Sequence, residues 1–358
     1  MSSIVGQYGT SGTSLILDRA ISTLSLQQQA LQNETASGTV SDTYAGLGNS
    51  AAQVLNIKQQ VSQVSAWQAN VTTAQTNLTT SVNAVNEIAS LASSLTTTLT
   101  TLQTTPTHST VAIAASTAKS ALATLQGLLN TQNGSTYVLG GANGGTPVIA
   151  AGVDLADGSL AKAISASVAQ VSDTGTDAVL AQTLSFAADN SAALSPFSAI
   201  LSVAPQTAAG MQADVSISQS SMTATGFVAT QGGTASDTST GSAMRDLIRN
   251  LMVVASLGSV SATTSQFSSL VTGVLQSNAS VVSSLNETQG QLGVQQNALS
   301  TRAATLTQLS TALSSQYSTL VDADLATVST QLSQTQLQLQ ASYTLVADMK
   351  GLSLANYI

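Results

Sequence analysis

The stretch LNETQGQLGVQQNALSTRAATLTQLSTALSSQYSTL, residues 285–320, carries a leucine at every seventh position. A strict seven-residue apolar repeat keeps one stripe of a helix facing a partner when helices supercoil in the left-handed sense. The stretch therefore predicts a long coiled-coil helix, which we extend over residues 281–358. Its repeating leucines are Leu285, Leu292, Leu299, Leu306, Leu313 and Leu320.

The same period resumes after an interruption of five residues. Leu325, Leu332, Leu339 and Val346 continue the stripe, and the sequence VDADL at 321–325 marks the phase shift. The two aspartates of this segment would lie on different helical faces, and they lack the loop that calcium coordination uses. We interpret them as a helix break or a helix start rather than as a metal site or an acid/base pair.

The apolar stripe of this long helix is narrow. The second position of each heptad is mostly polar or small, and Leu309 is the exception. A stripe this thin predicts several neighbours that each cover a part of it, rather than one tight dimer. The residues at the second position are Thr288, Gln295, Arg302, Gln316 and Ala323.

Two further helices are predicted in the first third of the chain. Leu17, Leu24 and Leu31 repeat by seven between residues 15 and 36, and Gly38 supplies a stop. From residue 51 to about 102 a second heptad stripe predicts another long coiled-coil helix. Its apolar positions are Ile57, Val64, Val71, Leu78 and Val85.

The periodicity disappears between residues 146 and 241. Short β-like runs, among them 179–186, alternate there with Gly, Ser and Asp clusters, and the segment contains seven aspartates against the single cation Lys162. We therefore expect a small acidic domain inserted between helices. The predicted fold class is mainly α: an elongated antiparallel helical rod built from both chain ends, with a small β-containing domain in the middle.

The composition excludes several classes of function. Only 7% of the residues are charged and the formal net charge is −8, whereas about 25% charged residues is typical. Without a basic patch, nucleic-acid binding is not expected. The chain has no cysteine and one histidine, His108, in a Thr/Pro-rich turn. Cysteine or paired-histidine metal sites and thiolate catalysis are therefore excluded, and we predict neither a cofactor nor an enzyme.

Three other features have plain structural interpretations. The glycine-rich segment 140–145 lacks the Lys-Ser/Thr of a phosphate-binding loop and is predicted to be an ordinary loop. The cluster of Arg245, Asp246 and Arg249 is interpreted as a solvated or interface face rather than as an anion site. Residues 1–14 lack the charge and apolar core of a cleaved signal peptide, and no run reaches the roughly 18 apolar residues of a membrane span.

Particular motifs at both chain ends resemble those of the flagellin family. The sequence QNETASG at 32–38 is similar to the end of that family's first helix. The sequence VDADLA at 321–326, followed by Leu332, Gln336 and LQA at 339–341, is similar to its C-terminal segment. The resemblance covers about residues 1–145 and 242–358.

Two details resemble the branch of this family that joins hook to filament. The ending KGLSLANYI at 350–358 is similar to the terminus of that branch, and so is the region from LLNT at 128–131 through YVLGG at 137–141 to Pro147. One segment departs from the family pattern. Residues 39–45 (TVSDTYA) keep one acid and lack the usual basic residue, which puts the family's electrostatic contacts at this connector in doubt.

The resemblance implies a three-part organisation. Residues 1–45 and 321–358 would form an inner coiled-coil layer, 46–145 and 242–320 a helical rod, and 146–241 a variable outer domain. The expected assembly interface consists of Leu17, Leu24, Leu31, Leu325, Leu332, Leu339, Val346, Leu352, Leu354 and Tyr357. The expected rod core consists of Ile57, Val64, Val71, Leu78, Val85, Leu292, Leu299, Leu306 and Leu313.

The function that the resemblance implies is structural. The chain would be an extracellular flagellar subunit that joins hook to filament, exported by the flagellar type III route without a cleaved signal peptide. Its partners would be further copies of itself, other hook-associated proteins, filament flagellin and an export chaperone. The alternatives are a filament flagellin, a flagellin carrying an enzyme in its middle domain, and a secreted coiled-coil adhesin.

Overall fold

The computed structural model describes the main chain of residues 7–355 and the side chains of residues 15–348. The chain divides into two compact units, Met1–Ser65 with Gln308–Ile358, and Ala66–Thr307. The three-part division expected from the sequence, with boundaries near residues 45, 146, 242 and 321, stays a prediction.

In the first unit, helix α1 (Gln7–Ser37) packs on helix α10 (Leu325–Ala355). The end of α1 lies beside the start of α10, because Thr39 and Asp322 form an antiparallel main-chain bridge. The two terminal helices are therefore antiparallel. Parts of two longer helices complete this unit, α2 (Ala51–Thr104) and α9 (Ser265–Val321).

In the second unit, α2 and α9 run antiparallel. The amide Nδ2 of Asn278 donates to the carbonyl oxygen of Ala92 at 2.8 Å, and Nε2 of Gln289 donates to Oδ1 of Asn86 at 2.7 Å. Along α2 the buried positions alternate at spacings of three and four, as two-stranded coiled-coil packing requires. They are Val71, Ala74, Leu78, Ser81, Val85, Ile88, Ala92, Leu95, Leu99 and Leu102, and Ala84 is buried in addition to them.

Two polar side chains of α9, both at the second position of a heptad, form hydrogen bonds with a β-hairpin. Strands β3 (Ala213–Ser216) and β4 (Met222–Thr225) pair antiparallel. The side chain of Gln295 accepts a 2.8 Å hydrogen bond from the main-chain N–H of Gly226, and Nε of Arg302 donates to the carbonyl oxygen of Ile217 at 2.9 Å. The narrow apolar stripe predicted from the heptads is thus flanked here by polar side chains that bind the main chain of this hairpin.

The middle of the chain is more helical than its sequence predicts. A second small hairpin pairs β1 (Gln132–Asn133) with β2 (Thr136–Tyr137), after helix α3 (His108–Leu129). The remaining elements up to residue 257 are all helices. They are α4 (Ser159–Ala169), α5 (Val171–Thr174), α6 (Thr176–Ala188), α7 (Pro205–Ala209) and α8 (Ala243–Ser256).

The expectation that residues 179–186 are β-like is wrong. They lie in α6, whose buried side chains Val179, Thr183 and Ala187 recur every four residues. That spacing puts one helical face against α4 and α8. The fold class is nevertheless confirmed as mainly α, with long helices paired at both chain ends and small two-stranded sheets in the middle.

Helix α8 is the centre of the second unit. Every residue from Ala243 to Val254 is buried, and α3, α4 and α6 all pack on the helix. We expected a solvated or interface face at Arg245, Asp246 and Arg249. The solvated alternative is wrong, since each of them is only 2% exposed. Arg245 is hydrogen-bonded to residues 42 to 58 positions earlier in the chain, such as Asn190. Asp246 is hydrogen-bonded to Ser239 and Thr240, which lie 7 and 6 positions earlier.

Candidate assembly surface

The contact between α1 and α10 uses one face of each helix. On both helices the covered positions alternate at spacings of three and four, which is the pattern of coiled-coil packing. Several of these positions are polar, so the apolar contact is narrow. The covered residues are Leu17, Ile21, Leu24, Gln28 and Leu31 on α1, and Val328, Leu332, Thr335, Leu339, Ser342 and Val346 on α10.

The predicted interface residues occupy different environments in the single chain. Leu31 and Leu339 are buried at the helix contact, whereas Leu325 is 49% exposed. The side chains of Leu352, Leu354 and Tyr357 lie outside the described residues. Four others are half-buried along the same contact, namely Leu17, Leu24, Leu332 and Val346.

The residues expected in the rod core all have buried side chains. Their exposed fractions range from 0% to 7%. In the second unit they are Val71, Leu78, Val85, Leu292, Leu299 and Leu306, and in the first unit they are Ile57, Val64 and Leu313.

Two buried positions of α10 escaped the sequence prediction. Val328 lies four residues before Leu332 and is 6% exposed, and Thr335 is 4% exposed. Thr335 tolerates burial because its hydroxyl donates to the carbonyl oxygen of Gln331 at 2.8 Å. The spacing of three and four from the predicted leucines was the signal that could have found both residues.

Exposed apolar side chains concentrate in the first unit. Among the described residues, fifteen large apolar side chains are exposed, eleven in the first unit and four in the second. Apolar side chains exposed to water gain stability when a neighbouring chain covers them. We call the eleven the exposed apolar set: Leu15, Ile16, Leu26, Val40, Tyr44, Leu55, Leu309, Leu325, Leu337, Tyr343 and Leu345.

A short main-chain link fixes the start of α10 against the end of α1. The N–H of Ala323 donates to the carbonyl oxygen of Gly38 at 2.9 Å, and the N–H of Val40 donates to that of Val321 at 2.8 Å. Gly38 has φ +72°, a left-handed conformation that glycine adopts without a steric penalty. The link uses main-chain atoms, so it does not depend on a basic side chain in residues 39–45.

Asp324 caps the N-terminus of α10. Its Oδ1 accepts from the main-chain N–H groups of Ala326 at 3.1 Å and Thr327 at 3.4 Å, and its Oδ2 accepts from the Thr327 hydroxyl at 2.8 Å. These hydrogen bonds, the one from the Thr327 side chain first, lower the pKa of Asp324. The carboxylate satisfies N–H groups that a helix start otherwise leaves unpaired, which supports the interpretation of this aspartate as a helix start.

We expect Asp324→Ala to speed amide hydrogen exchange in the first turn of α10, because the cap is lost. The matched control is Asp322→Ala, since the exposed carboxylate of Asp322 accepts no hydrogen bond within the described part of the chain. Because the pKa of Asp324 is lowered in the folded chain, the wild-type cap should persist below the ordinary carboxyl pKa. It should be lost only as the pH falls through the lowered value. Equal exchange in the two variants would contradict the cap.

The described residues offer no site for metal chemistry. Residues 15–348 contain no group of three His, Cys, Asp or Glu side chains placed to hold a metal ion. His108 is exposed at the first position of α3. Over the same described residues, no helix is both long enough and apolar enough to cross a membrane.

The comparisons with known proteins bear on the C-terminal part of the chain. No curated protein matches this chain. The family model of the bacterial flagellin C-terminal helical region matches residues 275–358. That range contains most of α9, the Asp324 cap and the whole of α10. Residues 275–358 are therefore similar to the C-terminal helical region of bacterial flagellins.

Proposed function

We propose that this chain joins the flagellar hook to the filament, as an extracellular subunit that assembles through its terminal helices. The observation that carries the proposal is the exposed apolar set. Eleven large apolar side chains face solvent in the unit that contains α1 and α10. Apolar area of this kind stabilises a complex when neighbouring copies cover it.

The narrow contact between α1 and α10 supports assembly-dependent order. Gln28, Thr335 and Ser342 occupy covered positions where a stable coiled coil would have apolar side chains. Burial of a thin apolar stripe offsets only a small part of the conformational entropy lost on ordering the backbone, which costs roughly 1 to 2 kcal/mol per residue. The helix pair therefore gains stability from packing against further copies. We propose that Leu352, Leu354 and Tyr357 extend the same surface.

The junction role, rather than that of the filament subunit, is supported by the two local resemblances described above. They are the ending KGLSLANYI at 350–358 and the region from residue 128 to Pro147. The partners would be other hook-associated proteins, filament flagellin, further copies of this chain and an export chaperone. Export would follow the flagellar type III route. Filament flagellin is the second candidate, because the matched C-terminal helical region is described for flagellin itself.

The number and position of copies per flagellum distinguish the two roles. We expect a tagged chain to appear as one short zone at the hook end of the filament in immunogold electron microscopy. Labelling along the whole filament would overturn the junction role in favour of filament flagellin.

A chain that lacks residues 351–358 should be exported but not incorporated, since part of the proposed surface is missing. Normal incorporation of that truncated chain would contradict assembly through the terminal helices.

A further inference from the structure

The heptad stripe of α9 contains one polar residue within the second unit. Seven residues before Leu285 the stripe continues at Asn278, and seven before that at Val271. All three side chains have 0% exposure. From Val271 to Leu306, every other member of this stripe is valine or leucine. An asparagine therefore occupies a fully buried place that the pattern otherwise gives to an apolar side chain.

The amide group of Asn278 is hydrogen-bonded to one place on α2. Its Nδ2 donates to the carbonyl oxygen of Ala92 at 2.8 Å and to Oγ1 of Thr96 at 2.9 Å. Ala92 is itself buried, and its side chain is a single methyl group, so the amide can reach the main chain there. Thr96 lies about one helical turn further along α2 and supplies the second acceptor.

These hydrogen bonds distinguish the observed register from one shifted by a heptad. A shift of seven residues would keep the apolar stripes of α2 and α9 in contact, because both helices follow the seven-residue period. In either direction, however, a branched side chain would replace the methyl group of Ala92, and a residue without a hydroxyl group would replace Thr96. The replacing residues are Val85 and Ala89 in one direction, and Leu99 and Gln103 in the other.

Two further side-chain pairs between α2 and α9 have the same register. Gln289 donates to Asn86 at 2.7 Å, and Nε2 of Gln103 donates to Oγ1 of Thr272 at 3.1 Å. The same number of residues separates the two α2 partners as separates the two α9 partners. Both of these hydrogen bonds are exposed, so water competes for the same groups. The hydrogen bonds of Asn278 lie between them along the helices, and the one to Ala92 is buried.

The asparagine is not optimal for stability. Its Oδ1 is buried and accepts no hydrogen bond within the part of the chain that the structure describes. A buried polar atom without a partner costs free energy. In coiled coils, a single buried asparagine fixes the register of the helices at a cost in stability.

We propose that Asn278 specifies the register in which α9 pairs with α2. It acts by excluding the shifted pairings, in which its amide would be buried without the acceptors that Ala92 and Thr96 supply. All three residues lie within the second unit, so this role is independent of the proposed assembly through α1 and α10.

The test compares the full chain with Asn278→Leu, each unfolded in urea and refolded. Nitroxide labels at Ser90→Cys on α2 and Thr305→Cys on α9 report the register, since both positions are exposed and the chain has no cysteine of its own. A shift of one heptad displaces the labels by about 10 Å along the helix axis. Double electron–electron resonance should give one distance for the labelled chain with Asn278. Asn278→Leu should add a second population, shifted by up to about 10 Å.

Thr288→Val is the matched control. Thr288 is also a buried polar residue of α9, but its hydroxyl donates to the carbonyl oxygen of Ser284 in the same helix. This variant should keep a single distance. A single, unchanged distance in Asn278→Leu would overturn the proposal, and so would an equal second population in Thr288→Val.

Thermal unfolding separates specificity from stability. Asn278→Leu should unfold at the same temperature as the unsubstituted chain or at a higher one, because leucine leaves no polar atom unpaired at this position. A lower unfolding temperature would show that Asn278 serves stability, and would overturn the proposal. If Asn278→Leu does not refold, Thr96→Val decides, because it keeps the shape of that side chain and removes the hydroxyl acceptor. Thr96→Val should show the shifted population, and a single distance in it would then overturn the proposal.

Discussion

We expect Leu292→Ala to lower the free energy of unfolding of the second unit by about 2 to 5 kcal/mol. Leu292 is 1% exposed on α9. It lies between Gln289, which binds Asn86 on α2, and Gln295, which binds the main chain of Gly226. These polar contacts on both sides limit how far the helices can move together, so the substitution leaves a cavity and loses the burial of the removed atoms.

The control for this prediction is two residues away on the same helix. Val294 is 70% exposed, so Val294→Ala should change the free energy of unfolding by no more than about 0.5 kcal/mol. Urea unfolding can be followed through the fluorescence of Trp67, the single tryptophan, which lies in the second unit. Equal destabilisation by the two substitutions would show that the leucine stripe is not the core of this unit.

The long helices were predictable because their period is a local property of the sequence. A leucine at every seventh position identifies the packed face of α9 without knowledge of its partner. The break between Val321 and Leu325 was equally visible, since the heptad shifts phase there and Asp324 is a residue type that caps helices.

The role of the polar residues at the second heptad position of α9 was not predictable. Gln295 and Arg302 make the leucine stripe look too narrow, and in the structure they bind main-chain atoms next to β4 and β3. Those acceptors and donors lie about 70 to 85 residues away in the sequence. No local pattern could have identified them, because main-chain groups are present in every residue.

Helix α8 shows the same limitation more strongly. Its charges at positions 245, 246 and 249 resemble those of a solvated face, and charged residues are rarely buried without partners. Burial is possible here because Asn190, Val203 and Ser239 supply hydrogen-bonding groups to Arg245 and Asp246.

The contact between α1 and α10 was partly predictable. The heptad stripe marked Leu31 and Leu339, which are buried where α1 meets α10. Apart from Leu325, the exposed apolar set was not foreseen, because whether a side chain such as Leu337 faces a neighbour or solvent depends on which face of the helix the fold covers. The proposed assembly function rests on the exposed apolar set and on the narrow contact between α1 and α10.

Arg245→Ala should lower the free energy of unfolding of the second unit by about 3 kcal/mol or more, since it removes a buried charged donor and leaves its acceptors without that partner. The guanidinium Nη2 of Arg245 donates to Oδ1 of Asn190 at 2.7 Å and to the carbonyl oxygen of Val203 at 2.9 Å. Its Cζ also lies 5.5 Å from the ring centre of Phe197, within range of a cation–π interaction. One side chain on α8 thus holds three points of the segment 190–203.

The expected signature of Arg245→Ala is local as well as global. Hydrogen exchange measured by mass spectrometry should rise first over residues 187–203, because Arg245 also donates to the carbonyl oxygens of Ala187 and Ala188. In Arg245→Lys, the rate of hydrogen exchange over residues 187–203 should lie between those of the wild type and the alanine variant. An ammonium group keeps the charge but cannot reproduce the planar fork. Unchanged exchange over residues 187–203 in the alanine variant would show that this segment is held by apolar packing alone. In that case Arg245 would be buried on α8 without fixing residues 187–203 to that helix.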